Sequence, residues 1–327
     1  MISSRFTMLT ALAATTLVLG GLATGAFLYL AGEEVSAKGP AFRFLPAGAN
    51  LVGYLDMKAL AKSPLAESWS SISDRKEWEG LEEIRKNMGI DLLKDVDSLT
   101  LAVAPGPDND PRWGLALEGA FERKRFVEKL AKAHPGLEIS RHQGTDLYVV
   151  QGAPGSAFAL AGPTTLLFGE TDYVREMLDA AAGRKPSVSP ETWGKSDVEV
   201  DHLNGPESFW FAGKPPEFVR ASGPGSSIQS FRVSGHLGPE LLLHARGRTA
   251  DEKSAQELAN VVRGLVALAR LRGESTPERA ALEEAMESIS IETAGDSIDL
   301  SLSMPYDSVR EILEPSARAQ GEPEGQR

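Results

Sequence analysis

The stretch TLLFGETDYVREMLDAAAG (165–183) reads as a short apolar strand, a polar break and an amphipathic run closed by glycine. The polar break is first of all a helix start, with Thr171 as cap and Asp172 favouring the positive end of the helix dipole. The same cadence returns along the chain. LVGYLDMKALAKSPLAESW (51–69) gives a strand, Asp56, then a helix with a break at Ser63-Pro64, where Pro64 suits the first position of a new helix. RWGLALEGAFERKRFVEKLAKA (112–133) gives a strand and a helix with Phe126, Val127 and Leu130 on one side. ELLLHARGRTADEKSAQELANVVRGLVALARL (240–271) gives a strand, then Thr249 with Glu252 three residues on, the pattern of a capping box. SIDLSLSMPYDSVREIL (297–313) closes the series, with Pro305 at a helix start and Asp307 in the first turn. The stretch is therefore a repeated building unit rather than a binding loop.

Grouping the units brings out a longer period. The first half reads strand–helix at 51–67, strand–strand–helix at 98–133, then two strand pairs and a helix to Ala182. The second half reads strand–helix at 208–221, strand–strand–helix at 228–271 and strand–strand–helix at 288–313. The first half has an additional helix near 77–88 and a hairpin at 137–151; the second inserts TPERAALEEAME, capped by Thr276-Pro277. The predicted fold is α+β: two tandem related modules, 42–182 and 208–314, each an antiparallel sheet with helices on one face. A linker rich in proline and polar residues (183–207) divides them, and a polar tail, disordered by composition, follows at 315–327. IDLSLSM alternates Ile298, Leu300, Leu302 and Met304 with Asp and Ser, as a half-buried strand does, whereas LTLAVAP is apolar on both faces and suits a central strand.

The chain has 327 residues, a formal charge of -12 and no cysteine; 42% of it is hydrophobic and 24% charged. Such a composition builds a sizeable folded core. The acidic balance excludes nucleic acid as the expected partner, since phosphate binding needs clustered Lys and Arg. Absent cysteine excludes disulfides, thiolate metal sites and a cysteine-linked lipid anchor.

The N-terminus reads as an address. After Arg5 no charge appears from Phe6 to Gly32, and Glu33 and Glu34 follow. A helix needs about 20 apolar residues to cross a bilayer, so residues 1–32 are expected to form a tail and single-pass transmembrane signal anchor, with a tether at 33–41. Positive charge before the span and carboxylates after it place the N-terminus in the cytoplasm and the body in the periplasm or outside the cell. Tyr29 stands near the outer end, where an interfacial aromatic is expected. Val35-Ser36-Ala37 also fits a small-residue cleavage site, the processed alternative. Gly21 and Gly25 form a G-x-x-x-G pair that could let two spans approach closely, although glycine is common in such segments anyway.

FRFLPAGANLVGYLDMKALAKSPLAESW together with MGIDLLKDVDSLTLAVAP resembles a loose family of uncharacterised, membrane-anchored bacterial envelope proteins. Leu45-Pro46-Ala47, Asp56, Ser63-Pro64-Leu65 and Gly89-Ile90-Asp91 carry the resemblance, which covers residues 42–105. It implies an anchored ectodomain and supplies no catalytic or binding residues.

No local motif assembles a chemistry. WGKS (193–196) resembles the end of a phosphate-binding loop, but the glycine required five residues before Gly194 is Ser189. No G-x-S-x-G or H-E-x-x-H is present. Of the five histidines, His236 and His244 share a hairpin without facing each other, and His134 ends a helix, so no metal site is expected. Asp108, Asn109 and Asp110 form a loop too short to encircle calcium; SDVEVDHLNGPE offers Asp197, Glu199, Asp201, Asn204 and Glu207, but Val198 and Val200 alternate with the acids as in an exposed strand. No cofactor is expected.

Two elements remain as contact candidates. Arg123, Lys124 and Arg125 concentrate positive charge on one helix, either to touch anionic lipid or polymer or simply as its solvent face. The helix 252–271 carries Ala255, Leu258, Ala259, Val262, Leu265, Val266 and Ala269, widened by Val261 and Leu268, a stripe broad enough to need cover on more than one side. Leu258, Val261, Val262, Leu265 and Leu268 are thus a candidate apolar contact surface, with packing between the modules as the plainer explanation. The leading expectation is a non-catalytic, membrane-anchored envelope protein with a binding or structural ectodomain that contacts another envelope protein or an apolar ligand. The alternatives are a carrier or chaperone for a lipid or lipidated protein, and an enzyme whose site is assembled from distant loops.

Overall fold

The computed structural model describes residues 40–66, 85–106, 111–150, 156–189, 207–215, 226–271 and 284–313, with side chains at all of these but 40, 268–271 and 310–313. The strands are β1 (Leu51–Asp56), β2 (Val96–Ala104), β3 (Arg112–Gly119), β4 (Leu137–His142), β5 (Thr145–Val150), β6 (Ser156–Leu160) and β7 (Thr165–Glu170). They continue as β8 (Phe209–Gly213), β9 (Ile228–Leu237), β10 (Leu241–Thr249), β11 (Ser290–Ala294) and β12 (Ser297–Met304). The helices are α1 (Met57–Lys62), α2 (Leu92–Asp95), α3 (Arg123–Ala133), α4 (Thr171–Ala181), α5 (Glu252–Leu271) and α6 (Tyr306–Leu313), preceded by a 3-10 turn at Pro40–Phe44.

The twelve strands form one sheet in the order β11-β12-β10-β9-β8-β1-β2-β3-β7-β6-β5-β4. Every pair in it is antiparallel. The α+β class expected from the strand patterns is what the structure has. The sheet is continuous, however: β1 and β8, the first strand of each half, pair with Gly53 opposite Phe211 and Tyr54 opposite Trp210.

Register assigns every strand residue to a face. One face carries Leu55, Leu101, Leu115, Phe158, Leu166, Phe209, Leu243 and Leu302, and α1, α3 and α6 pack there through Met57, Leu60, Phe126, Leu130 and Val309. At the second-half end of that face α5 adds Leu258 and Ala259 over Val233, Ala245, Ile298 and Leu300. The opposite face of the first half is a bed of Ala102, Ala116, Ala157, Ala159 and Leu167, covered by Tyr173, Val174, Met177 and Leu178 of α4 and by Phe44 and Leu45 of the N-terminal turn. Helices therefore lie on both faces, which corrects the one-faced arrangement expected from sequence. The cause is steric: small side chains on that face let a helix descend onto the backbone. Gly114 marks the closest approach, since a Cβ there would stand 2.5 Å from Met177 Sδ.

Two helix starts also differ. Glu170, not Thr171, is the N-cap of α4 and makes no side-chain cap bond, while the Thr171 hydroxyl is buried without a hydrogen-bond partner. At α5 the capping group is Asp251, whose Oδ1 accepts from the Ser254 amide at 2.7 Å. Thr249 instead spends its hydroxyl on the carbonyl oxygens of Asp251 and Asp296, at 2.9 and 2.8 Å. Asp56 caps α1 as its position suggests, accepting from the Ala59 amide at 2.8 Å. The Leu-Pro-Ala phrase has a structural role: Leu45 is buried, Pro46 bridges to Ser187, and the Ala47 amide donates to Pro186 at 2.9 Å.

The Phe6–Gly32 run, Gly21 and Gly25, WGKS, both acidic stretches apart from Glu207, and the polar tail lie outside the described residues. Among the described residues no helix is long and apolar enough to cross a membrane.

Candidate functional site

The candidate apolar stripe divides once α5 is placed. Leu258 is 8% exposed and, with Ala259, belongs to the core; Val262 packs against the same cluster. Val261 and Leu265, one turn apart, stand at 37% and 59% exposure on the outer side. Gly264 between them has no heavy atom within 4 Å of where a Cβ would sit, so the backbone is open there too. The Leu268 side chain lies outside the described residues. Among the described residues, the surface that sequence assigned to five positions is carried by Val261 and Leu265. Arg263, beside them, donates from Nη2 to the Ile291 carbonyl at 3.1 Å and so ties α5 to β11.

The basic cluster lies on the solvent side of α3. Arg123, Lys124 and Arg125 are exposed while Phe126 and Leu130 are buried beneath. Arg123 is 3.3 Å from Asp146 on β5, a contact between partly exposed groups worth little energetically. The arrangement positions α3 and leaves Lys124 and Arg125 facing outward.

A polar lattice that sequence reasoning did not assemble occupies the second half of the sheet, on the face opposite α5. Pairing places Arg232, Arg246, Asp299 and Glu292 in one cross-strand row, and Ser234, His244, Ser301 and Ser290 in the next. Asp299 Oδ1 receives Arg246 Nε at 2.6 Å and lies 3.3 Å from His244 Nε2. Burial pushes the Asp299 pKa up, but the hydrogen bonds from His244 and Arg246 outweigh it and hold the carboxyl below the usual range. Arg248 Nε bonds Asp296 at 2.9 Å, and Arg232 Nη2 meets Glu207 at 2.5 Å in a site where both are largely buried. These pairs neutralise one another and secure β8, β9, β10 and β12 from the side no described helix covers. The signal was present in LLHARGRT and SIDLSLSM, whose polar positions share a face once β10 and β12 are paired, but the pairing itself is not written in either segment.

The remaining histidines are placed rather than assembled. His134 is the C-cap of α3, its amide donating to Leu130 O. His142 Nε2 and Gln143 Nε2 both meet Asp179 Oδ1, at 2.9 and 2.7 Å, which clamps the β4–β5 turn to α4. Burial acts to raise the Asp179 pKa, yet these two bonds bring it below the usual range. His236 lies opposite Leu242 and His244 opposite Ser234, so the two imidazoles are not cross-strand neighbours. No group of three metal-ligating side chains occurs among the described residues.

No family model matches the chain, and no curated protein matches it. Two solved structures, crystal forms I and IV of TP0453, are similar to it, each with 10% identity and a TM-score of 0.49. The first alignment covers 85% of this chain and 98% of that one; the second covers 86% and 97%.

Proposed function

We propose that the chain is a non-catalytic, single-pass membrane-anchored envelope protein whose external body presents a contact surface. In this reading residues 1–32 hold the protein in the membrane with the N-terminus in the cytoplasm, as in the family its 42–105 segment resembles. The body is built from two tandem related modules. Supporting their kinship, β1-β2-β3-β7-β6 and β8-β9-β10-β12-β11 run outward from the central pair in the same order. The observation that carries the contact role is the exposed Val261–Leu265 side of α5, whose inner side already completes a core. Such a half-exposed apolar helix on a tethered body suits a partner protein of the envelope.

A second reading, a carrier for a lipid or lipidated protein, draws on the same exposed Val261–Leu265 side of α5, since the apolar face beneath α1, α3 and α6 is already packed. Protease added to intact cells with a permeable outer layer should digest the body and spare a fragment of the N-terminal segment. A full-length chain recovered in the soluble cytosolic fraction would refute the anchored reading. Lipid extraction of the purified protein separates the two roles, since a carrier yields bound lipid in molar proportion and a partner-binding surface does not.

A further inference from the structure

The two margins of the sheet are treated differently. β11 is bordered by α5: Arg263 occupies the Ile291 carbonyl, and Thr293 Oγ1 bonds Gln256 Oε1 at 3.3 Å. β4, at the other margin, has no strand beyond it among the described residues, and its central residue Ile139 is 63% exposed, the most exposed of the large hydrophobic side chains described. An open margin bearing an apolar residue is a template for another strand.

The hairpin geometry identifies which backbone groups point outward. Gln143 and Gly144 have φ of 54° and 77°, a two-residue type I′ turn, so His142 and Thr145 form the closing hydrogen-bonded pair. Alternation then makes Ser140 and Glu138 bond to β5 and turns the N–H and C=O of Leu137, Ile139 and Arg141 away from the sheet. The Leu137 amide is already used, donating to His134 O at 3.0 Å. The outward Ile139 and Arg141 donors and the Leu137 and Ile139 acceptors are what a partner strand would meet.

We infer that β4 pairs antiparallel with β4 of a second copy of this chain, in a two-fold register centred on Ile139. A two-fold axis normal to the sheet keeps each face on its own side, so paired residues must share parity along the strand. Centring on Ile139 satisfies this and satisfies the hydrogen bonds as well. Ile139 bonds its symmetry mate in both directions, and each Arg141 amide meets the other chain's Leu137 carbonyl, for about four inter-chain bonds. The two exposed isoleucines cover each other, the Leu137 side chain lies along the aliphatic stem of Arg141, and Glu138 faces Ser140. No like charges are opposed, and the two sheets become one. The inference stands on the β4 margin alone and is independent of the membrane anchor.

The chain's lack of cysteine makes the test clean. In the proposed register two residues at 139 have Cα atoms about 5.5 Å apart, within disulfide reach, whereas residues at 141 are roughly 15 Å apart. Full-length Ile139→Cys under mild oxidant should give a disulfide-linked dimer at least ten-fold more than Arg141→Cys. Ile139→Pro removes an outward donor without touching the bonds to β5, so it should convert the dimer to monomer in sedimentation while the melting transition stays in place. Failure of Ile139→Cys to crosslink, equal crosslinking at both positions, or a dimer that survives Ile139→Pro would each overturn the inference.

Discussion

Adding one methyl group at two glycines should change stability in opposite directions. At Gly114 on β3 the new Cβ would stand 2.5 Å from Met177 Sδ, 2.9 Å from Tyr173 Cδ1 and 3.3 Å from Tyr173 Cε1. Ordinary contacts of this kind sit near 3.5–4.0 Å, so both side chains must retreat by about 1 Å. Both are completely buried under α4, leaving nowhere to go without lifting the helix. Overpacking costs roughly 1–3 kcal/mol, and the reduced freedom of the unfolded chain returns about 0.4–1 kcal/mol, so Gly114→Ala should destabilise by about 1–2 kcal/mol. Gly264 in α5 has open space around it, and alanine there should stabilise by about 0.8–1 kcal/mol through helix propensity. The two variants should therefore differ by about 2–3 kcal/mol, or roughly 4–10 °C in melting temperature for a body of this size. Thermal and urea unfolding of the purified protein followed by circular dichroism measures both. A Gly114→Ala protein as stable as the parent would refute the close descent of α4 onto the alanine bed.

Leu258→Ala should cost about 2–3 kcal/mol in the same assay because it empties a packed site, while Leu265→Ser on the exposed side should fall within about 0.5 kcal/mol; equal effects would dissolve the division of α5. Asp299 has its folded pKa depressed, so the stability it contributes is present above about pH 4, the unfolded value, and is lost as pH falls toward the folded one. Asp299→Asn should accordingly be less stable than the parent at pH 7, with the gap narrowing below about pH 4; a gap independent of pH would remove Asp299 from the lattice.

How much was legible follows from what each signal depends on. Strands and helix starts depend on neighbours in sequence, and the opening stretch, Asp56, the β4–β5 hairpin and the alternating SIDLSLSM all folded as their spacing indicates. The N-cap of α5 lies at Asp251 rather than Thr249, whose hydroxyl bonds the carbonyls of Asp251 and Asp296, the latter 47 residues away where no local pattern reaches; the one-residue shift from Thr171 to Glu170 at α4 has no such partner behind it. Leu99–Ala104 already carried apolar side chains on both faces, which requires cover on both, so α4 opposite α3 was open to inference from that segment. The broad stripe of α5 correctly announced more apolar surface than one sheet covers, but only packing could separate Leu258 from Leu265. The Arg246–Asp299–His244 group was closed to sequence reasoning, since its members meet only through the register of β10 on β12.

Besides the β4–β5 hairpin, which among the described residues only the first half has, the halves differ in where one helix lies, and composition explains that difference. α3 and α5, each following the third strand from the seam, lie on the same face of the sheet, but α4 lies on the opposite face from α6. Under α4 the positions facing the helix are Ala102, Gly114, Ala116, Ala157 and Ala159. By strand order, the equivalent surface of the second half carries Arg232, His244, Arg246, Asp299 and Glu292. A helix laid there would desolvate several charges at once, and buried pairs return that cost only with near-ideal geometry. With Arg246 at 38% side-chain exposure and Arg248 at 41%, the lattice keeps its contact with water, and α6 instead drives Val309 into the apolar face beside Leu302 and Met304. One strand plan thus accepts two helix placements, and the side chains on a single face of β3 and β10 choose between them.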